Sequence, residues 1–474
     1  MARATLQFLS GDEIRRIHDT STRVLEEVGI SLTSPAVAKL LLDLGCRMSK
    51  DGKRVLIPQS TVKACLSSAP KSLLLASRDG KHDLRIPTER QTYAANGGEG
   101  VYIKDLITGE TRSAMTEDVG KFAALVDALD DVDMIWPMVG ALEQPAHIKT
   151  VVEMQMCFES STKHVQSMAA DAEEAKHVVE LASVLAGSSE ALAKRPIVSA
   201  VQCPISPLTF ERSLAEGQVE LARAGIPVVA MVAAVMGLTS PVTVSGTLAQ
   251  VNAENLASLV ISQAAKKGAP WIYSSDSTPG DLRTGSIDYG AMETNLVRAG
   301  FGQMGRFYGL PTMVSGLGLE GTSRLLGTVK DGVPYMMLQA LVPSDLGSGF
   351  GGIDQAAGAS FEQLVVDAWV WTTAKEFVRD FGTDEATISF ETIRDAGLDG
   401  NFLGKRHTLS RFKQEFKATS DPNAVFRGAG ESEPRGALLK RAKEDAARIL
   451  SAPRRRAVTK EQSAKMEELI GKWR

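Results

Sequence analysis

The sequence predicts an α/β fold, a TIM (β/α)8 barrel with an N-terminal helical cap and a C-terminal helical extension. Between residues 225 and 352 the chain repeats one pattern: an apolar run, a polar tip and then a helical segment. Strands that alternate with helices indicate a parallel sheet, because two parallel strands need a long crossover between them. Eight such units fill roughly 280 residues, close to the ~250 residues of a typical barrel of this kind.

Eight strands are predicted along the middle of the chain, at residues 92–97, 132–139, 163–168, 196–202, 226–232, 269–275, 310–316 and 344–351. An open doubly wound sheet is the alternative, disfavoured because no G-x-G-x-x-G follows the first strand and opens a helix. Barrels place their chemistry at the carboxyl ends of the strands, so the site is predicted at the strand tips. The predicted domains are the helical cap with small β elements (1–90), the catalytic barrel (91–385) and the helical extension (386–474).

The N-terminal segment has the pattern of a helical cap. Ser10 and Glu13 fit the S-x-x-E spacing of a capping box, apolar residues then recur at helical spacing, and Gly29 can end the helix. A second helix is predicted near residues 35–44 and a short strand at 54–58.

Between the first two barrel strands, residues 101–114 predict a hairpin that turns at Thr108 and Gly109. Thr116, followed by two acidic residues, is predicted to cap the next helix, which extends through Leu129. After strand eight a long helix is predicted at residues 360–381, and the rest of the chain is charged and helical.

The composition excludes several classes of partner. The chain has 474 residues with 53 basic and 57 acidic side chains, a net charge of −4 that argues against nucleic-acid binding. The four cysteines show no C-x-x-C spacing and are predicted to be reduced thiols in a cytoplasmic protein. No stretch approaches the ~20 apolar residues of a membrane span, and the N-terminal residues lack a signal-peptide pattern.

The strand tips are rich in methionine, aromatic and amide side chains and poor in ionisable ones. His164 begins strand three, away from the expected site, and a structural role is favoured for it. No cluster of His, Asp or Glu has metal-ligand spacing, and no G-x-S-x-G, P-loop or Schiff-base lysine candidate is present. The pattern therefore predicts a site that binds and orients its substrate without a bound metal or a nucleophile of its own.

Trp136, Tyr273 and Phe350 fall at strand tips, where three rings could converge over the barrel mouth. Aromatic faces attract a cation by ~0.5–2 kcal/mol each, and quaternary ammonium ions are the usual ligands of such cages. The alternative is that each ring belongs to the ordinary core.

Four polar residues complete the predicted site. Arg283, just beyond strand six, could clamp a carboxylate or could pair with neighbouring aspartates to hold its loop. Asn96, Gln166 and Gln202 are predicted to orient a ligand by hydrogen bonds. The glycine-rich segment at 346–354 could let the backbone approach a ligand, or it could be a tight turn.

Taken in order, several segments resemble the trimethylamine methyltransferase (MttB) superfamily over roughly residues 5–385. They are IHDTSTRVLEEVGISL (17–32), RVLIPQSTVKACLSSAP (54–70), the hairpin VYIKDLITGETRSA (101–114), TSPVTVSGTLAQVNAENLA (239–257), GAPWIYSS (268–275), DLRTGSIDYGAMETNL (281–296), FYGLP (307–311), FGGID (350–354) and FEQLVVD (361–367). Because the chain has the twenty standard residues alone, it resembles the branch of the superfamily that lacks pyrrolysine.

The resemblance implies a TIM barrel that moves a methyl group from a quaternary amine, such as glycine betaine, to the Co(I) of a corrinoid on a separate small protein. It implies a small-molecule substrate, a corrinoid-protein partner and no cofactor held tightly by this chain; a homo-oligomer is also expected. A quaternary ammonium suits a site without a nucleophile, because its leaving group is a neutral tertiary amine.

Three departures from the family pattern affect the expected substrate. Residues 348–352 read SGFGG where relatives often read HGAGG, Met313 stands where relatives often have arginine, and LLGTVKDG (325–332) replaces another family segment. Two alternatives therefore stay open: a methyltransferase linked to a pterin, favoured by an electronegative mouth without an aromatic cage, and a barrel that binds betaines without catalysis.

Overall fold

The computed structural model describes residues 6–88, 92–319, 336–342, 344–398, 400–416, 435–453 and 456–474. Its centre is a closed barrel of eight parallel strands, numbered here one to eight in chain order: Tyr93–Asn96, Met134–Ile135, His164–Met168, Val198–Gln202, Val228–Val232, Trp271–Ser275, Thr312–Ser315 and Leu346–Phe350. Strand eight pairs with strand one, Leu346 opposite Tyr93, and this pairing closes the barrel. The predicted barrel is thus confirmed, and the open sheet is excluded.

Helices follow the strands and form the outer layer of the barrel. They are Thr116–Ala128, Ala146–Ser160, Ala172–Ala186, Ser189–Lys194, Arg212–Ala224, Val244–Ala265, Glu293–Tyr308 and, after strand eight, Phe361–Phe377. The helix predicted to be capped by Thr116 begins at that residue, with Met115 in the cap position, because the carboxylate of Asp118 accepts the backbone N–H of Met115. Segment 325–332 lies outside the described residues.

The barrel interior has its own apolar cluster, separate from the packing between strands and helices. Its members include Ala95, Met134, Val201, Val229, Met231, Ile272, Met313 and Leu346. Side chains alternate between the two faces of a strand, so the residues two positions further along each strand also face the interior. In strand six, Ile272 faces inward, whereas Trp271 and Tyr273 belong to the layer between strands and helices.

The N-terminal segment covers one end of this barrel. Helix Gly11–Arg23 has the predicted capping box at Ser10, and further helices follow at Pro35–Asp43 and Gln59–Ser68. The paired strands Leu73–Leu75 and Leu84–Ile86 place Leu75, Leu84 and Ile86 in the interior cluster. This hairpin therefore closes the amino-terminal end of the barrel.

The predicted hairpin between strands one and two is confirmed, with Tyr102–Lys104 paired to Thr111–Ser113. After the barrel, described helices span Glu385–Ile388, Phe390–Ala396, Arg406–Glu415, Arg435–Ser451 and Lys460–Trp473. In the described part of the chain, no helix combines the length and the apolarity that a membrane crossing requires.

Candidate functional site

A cavity of about 100 Å3 lies at the carboxyl ends of the strands and opens to solvent. Its walls combine glycine backbone with a few large side chains; the side chains that line it include Trp136, Met138, Met231, Asp276, Tyr289, Ser315 and Ser348. Backbone at Gly97, Gly98, Gly316 and Gly349 completes the wall. The cavity lies where a barrel of this type holds its chemistry.

Trp136 presents its ring to this cavity because its backbone is held from strand one. The side-chain Oδ1 of Asn96 accepts the N–H of Trp136 at 3.0 Å, and the Nδ2 of Asn96 donates to the carbonyl of the same residue. A Cβ atom on Gly98 would lie 2.4 Å from the indole ring, so the absence of a side chain at Gly98 makes room for the ring. Asn96 therefore positions Trp136. These hydrogen bonds favour a structural role for Asn96 over the direct contact with a ligand that the sequence predicted.

Asp276, one residue beyond strand six, is the carboxylate of the mouth. The hydroxyl of Tyr289 donates to its Oδ2 at 2.7 Å, and the hydroxyl of Ser315 donates to its Oδ1. Burial raises the pKa of Asp276, while these hydrogen bonds and the charge of Arg298 act in the opposite direction. Part of the surface of Asp276 is exposed to the cavity.

Inside the barrel, one amide side chain and one hydroxyl side chain lack hydrogen-bond partners among the described residues. Both amide atoms of Gln166 and the hydroxyl of Ser274 are buried, and no hydrogen bond reaches them from the described residues. The register pairs Ile135 with Val165, so Trp136 and Gln166 follow at the same level of neighbouring strands. Buried polar groups are normally hydrogen-bonded, so the described residues leave these two without the partner that such groups usually have.

The described mouth offers binding groups in place of a nucleophile. Cys203 packs against the interior cluster, and burial raises the pKa of its thiol to about 12, so the thiol is protonated at neutral pH. No group of three or more His, Cys, Asp or Glu suited to a metal ion occurs among the described residues. What the arrangement can do is hold a ligand and orient it toward the opening.

The predicted cage of three rings is not formed. Tyr273 is fully buried on the outer face of strand six, where its ring stacks on Phe301 at 4.1 Å between centroids and its hydroxyl donates to Asn252. Phe350 is also fully buried, in the packing layer between strands and helices. Tyr273 has the outward parity of strand six. Phe350 shares the parity of Leu346 by count, but the pairing of strand eight with strand one shifts register between Gly347 and Phe350. Trp136 alone of the three rings lines the cavity.

Two further residues predicted to bind substrate, Arg283 and Gln202, do not line the cavity. Arg283 is 90% exposed and pairs with Asp281 at 3.2 Å in the turn after strand six, so it holds its loop and does not line the cavity. Gln202 is buried and donates to the carbonyls of Ala169 and Val201, which ties the ends of neighbouring strands together. His164 faces the closed end, in agreement with its expected structural role.

Sequence reasoning placed Asp276, Met138 and Met231 at strand tips but did not select them as binding residues, and it missed Tyr289. A signal existed for Asp276, because Ile272, Ser274 and Asp276 share one face of strand six. Strands buried on both faces read as continuous apolar runs, however, so polarity alone does not reveal which parity is inward. Tyr289 reaches the site from a loop, and no strand pattern could have found it.

A closed barrel with a glycine-lined cavity at the carboxyl ends of its strands has the architecture of enzymes that bind a small molecule at that end. The family model described as trimethylamine methyltransferase (MTTB) matches residues 2–474. The chain therefore belongs to the trimethylamine methyltransferase family, as its sequence indicated, and it is a methyltransferase.

Individual relatives support the same assignment. Trimethylamine methyltransferase MttB of Desulfitobacterium hafniense (strain DSM 10664 / DCB-2) is 30% identical over 406 residues, which cover 86% of this chain and 82% of that protein. Glycine betaine methyltransferase of Desulfitobacterium hafniense (strain Y51) is 27% identical over 420 residues, 86% of this chain and 85% of its own. Among solved structures, the monomethylamine methyltransferase MtmB of Methanosarcina barkeri aligns with a TM-score of 0.54 and 10% identity over 98% of this chain and 89% of its own, a likeness of fold alone.

Proposed function

We propose that this chain moves a methyl group from a quaternary amine to the Co(I) of a corrinoid carried by a separate protein. The observation that carries the proposal is the mouth itself: an indole ring, two methionine side chains and a carboxylate around one open cavity, in a chain of this family. Aromatic and sulfur groups with a nearby anion suit a methylated cation. Glycine betaine and related betaines are the substrates that the sequence suggested.

In this reaction the N–CH3 bond breaks, and its electron pair stays on nitrogen to give a neutral tertiary amine. Co(I) on the partner would supply the nucleophile that receives the methyl group. The chain itself needs no acid, because the amine leaves without a proton. Its contribution is to hold the substrate so that one methyl group points along the barrel axis toward the opening.

Each cavity side chain has a role in this orientation. The face of Trp136 and the thioethers of Met138 and Met231 surround the methylated nitrogen without competing for the methyl group. Gln166, at the level of Trp136 on the neighbouring strand, is proposed to bind the polar arm of the substrate. A substrate anchored at both ends would present its methyl group to the solvent side, where a cobalt atom can approach.

The pterin-linked alternative has two observations in its favour, the carboxylate of Asp276 in the mouth and the absence of the predicted cage of three rings. Against it, both oxygens of Asp276 already accept hydroxyl donors, and Asn96 is engaged with Trp136. A flat pterin ring would need these groups as direct partners, so the amine is the better supported substrate. A barrel that binds betaines without transferring methyl groups is separated from the proposal by assay.

The test incubates the purified chain with a small corrinoid protein reduced to Co(I) and follows the loss of the Co(I) absorption band. Methylated amines are supplied one at a time: trimethylamine, tetramethylammonium, choline and glycine betaine, with methyltetrahydropterin as the competing donor. We expect at least one amine to methylate cobalt and the pterin to give no reaction. Binding of an amine without methylation of cobalt by any of them would contradict catalysis.

Two further expectations accompany this function, a cytoplasmic location and self-association. The four cysteines are unpaired, which supports a reducing compartment. Between residues 377 and 409, Phe377, Ile388, Phe390, Leu403 and Leu409 are at least 60% exposed, an apolar surface that a second copy of the chain would cover. Light scattering at increasing concentration tests this association, and a monomer at all concentrations would contradict it.

A further inference from the structure

Asp276 gives the barrel mouth its charge. Among the described residues that line the cavity, its carboxylate is the one side chain that is charged in its ordinary ionised form. Tyr289 and Ser315 hold it by neutral hydroxyl groups, so the carboxylate is fixed in position while its charge is left uncompensated by them. The described part of the chain places no lysine or arginine nitrogen at hydrogen-bond distance from its oxygens.

The nearest charge that acts on this carboxylate is Arg298, on the helix before strand seven. Its guanidinium donates to the carbonyl of Gly316 at 3.1 Å and fills the space beside that glycine, where a Cβ atom would lie 1.8 Å from Nη2. Arg298 therefore works at the backbone of the strand-seven tip. It moderates the charge of Asp276 at a distance, without forming an ion pair with it.

Two unpartnered polar side chains at the level of the cavity residues are neutral. Gln166 and Ser274 are fully buried and have no hydrogen-bond partner among the described residues. Ser274 pairs in register with Met231, whose side chain lines the cavity, so Ser274 lies beside the site. An amide and a hydroxyl can each donate and accept, which suits an uncharged arm such as a hydroxyl group.

From these observations we propose that the site selects a methylated ammonium ion with one positive charge and a neutral hydrogen-bonding arm, and that Asp276 discriminates against zwitterions that carry a carboxylate. A single cation meets the opposite charge of Asp276 in a partly desolvated cavity. A zwitterion brings a second carboxylate close to the first, and two like charges in such a place repel. The reaction in question is the methyl transfer proposed above, on which this inference rests.

The charge also has a kinetic consequence. The substrate nitrogen is positive, and the departing amine is neutral, so its attraction to Asp276 weakens as the methyl group leaves. A group that stabilises the bound substrate at least as well as the transition state affects KM more than kcat. Asp276 is therefore assigned to substrate selection, and removing its charge should raise KM with little loss in kcat.

The experiment measures binding by calorimetry without any corrinoid, so that it does not depend on catalysis. Choline and glycine betaine are the probes, because they share the trimethylammonium head and differ in a neutral or an anionic arm. We expect wild-type protein to bind choline about 30-fold more tightly than betaine, and Asp276→Asn to lower the choline affinity by about 10-fold to 100-fold. The affinity of Asp276→Asn for betaine should stay the same or rise, so the ratio of choline affinity to betaine affinity should fall close to one.

Asp281→Asn is the matched control, because Asp281 pairs with exposed Arg283 and does not line the cavity. That variant should keep the wild-type preference. Circular dichroism checks that Asp276→Asn is folded, and Tyr289→Phe provides a second variant that keeps the carboxylate. Loss of the Tyr289 hydroxyl removes a bond to the ionised form, so choline binding should need a higher pH for its onset.

The groups that face Asp276 and could alter this pH dependence are Tyr289, Arg298 and Cys203. Tighter binding of betaine than of choline by wild-type protein would overturn the proposal, as would an unchanged preference in folded Asp276→Asn. Preference for choline with no methylation of cobalt would contradict the proposed function and leave the charge selection intact. Methylation of cobalt by betaine but not by choline would contradict the charge selection and leave the proposed function intact.

Discussion

The two ends of the barrel interior treat their polar groups differently. At the closed end, Nε2 of His164 lies 3.0 Å from the hydroxyl of Ser199, and Nδ1 lies 3.2 Å from the carbonyl of Ala76. At the mouth, Gln166 and Ser274 have no partner in the described chain. His164 and Gln166 are two residues apart on the same face of strand three, so one strand serves both ends.

This difference separates the part of the interior that stabilises the fold from the part that binds. A buried donor or acceptor without a partner costs ~1–3 kcal/mol. The closed end avoids that cost and fills its volume with apolar side chains from all sides, including the hairpin at Leu73–Leu75 and Leu84–Ile86. The mouth bears this cost at Gln166 and Ser274 and keeps a cavity, so a bound substrate could supply the missing hydrogen bonds.

Substitution in the closed end should have the largest effect, and on stability alone. Ile272 is fully buried in the interior cluster, so Ile272→Ala should lower the free energy of unfolding by about 2–5 kcal/mol. Chemical denaturation measures the loss, and calorimetry should find the amine affinity unchanged. Exposed Ile287 provides the control, since Ile287→Ala should leave the unfolding curve in place. A large change in affinity with Ile272→Ala would break the separation between the two ends.

Acid should act next most strongly, again at the closed end. Burial lowers the pKa of His164 to about 4, below its value in the unfolded chain, so the folded state favours the neutral ring. The lowered pKa of His164 adds to the free energy of unfolding, and this contribution is complete above about pH 6.5. It is lost as the pH falls through 4, and the whole loss is on the order of 3 kcal/mol.

The measurement compares wild-type protein and His164→Gln by denaturation at pH 7 and pH 4. Wild-type protein should lose more stability over this interval than the variant, because glutamine does not titrate. Equal losses would show that His164 gains a proton in the folded state as easily as in the unfolded chain.

A change at the mouth should be smaller and should appear in binding. Gly98→Ala places a Cβ atom against the ring of Trp136, which must move away from the cavity. We expect KM for the methylated amine to rise about 10-fold, the size of one lost cation–π contact, with a minor change in stability. Gly404 has open space around it, so Gly404→Ala should match wild-type KM. An unchanged KM for Gly98→Ala would remove Trp136 from the binding site.

The smallest effect is expected outside both ends. Arg283 is exposed and pairs with Asp281, and exposed ion pairs contribute little. Arg283→Ala should leave KM within about twofold of the wild-type value and the unfolding midpoint where it is, since such pairs are weak. A marked rise in KM for an anionic substrate would restore the anchor that the sequence suggested.

Much of the fold was accessible from the sequence because it rests on local patterns. Alternating strands and helices predicted the barrel, the S-x-x-E spacing predicted the capping box at Ser10, and turn residues predicted the hairpin at 101–114. Of the residues selected from the sequence as substrate-binding, Trp136 lines the cavity, and Gln166 follows at the same level of the neighbouring strand. These features depend on a few neighbouring residues, and the same physics acts on them in any context.

The choice of face within each buried strand was not accessible in this way. Tyr273 and Asp276 lie three residues apart in one continuous segment, and nothing local states which of the two turns toward the interior. The ring packs on Phe301 because the barrel closes with Ile272 inside, which leaves Asp276 in the mouth. The chain by itself therefore determined a barrel of the methyltransferase family with its site at the strand tips. Tertiary closure decided which groups meet there, because side-chain direction in a strand buried on both faces is set by packing and not by polarity.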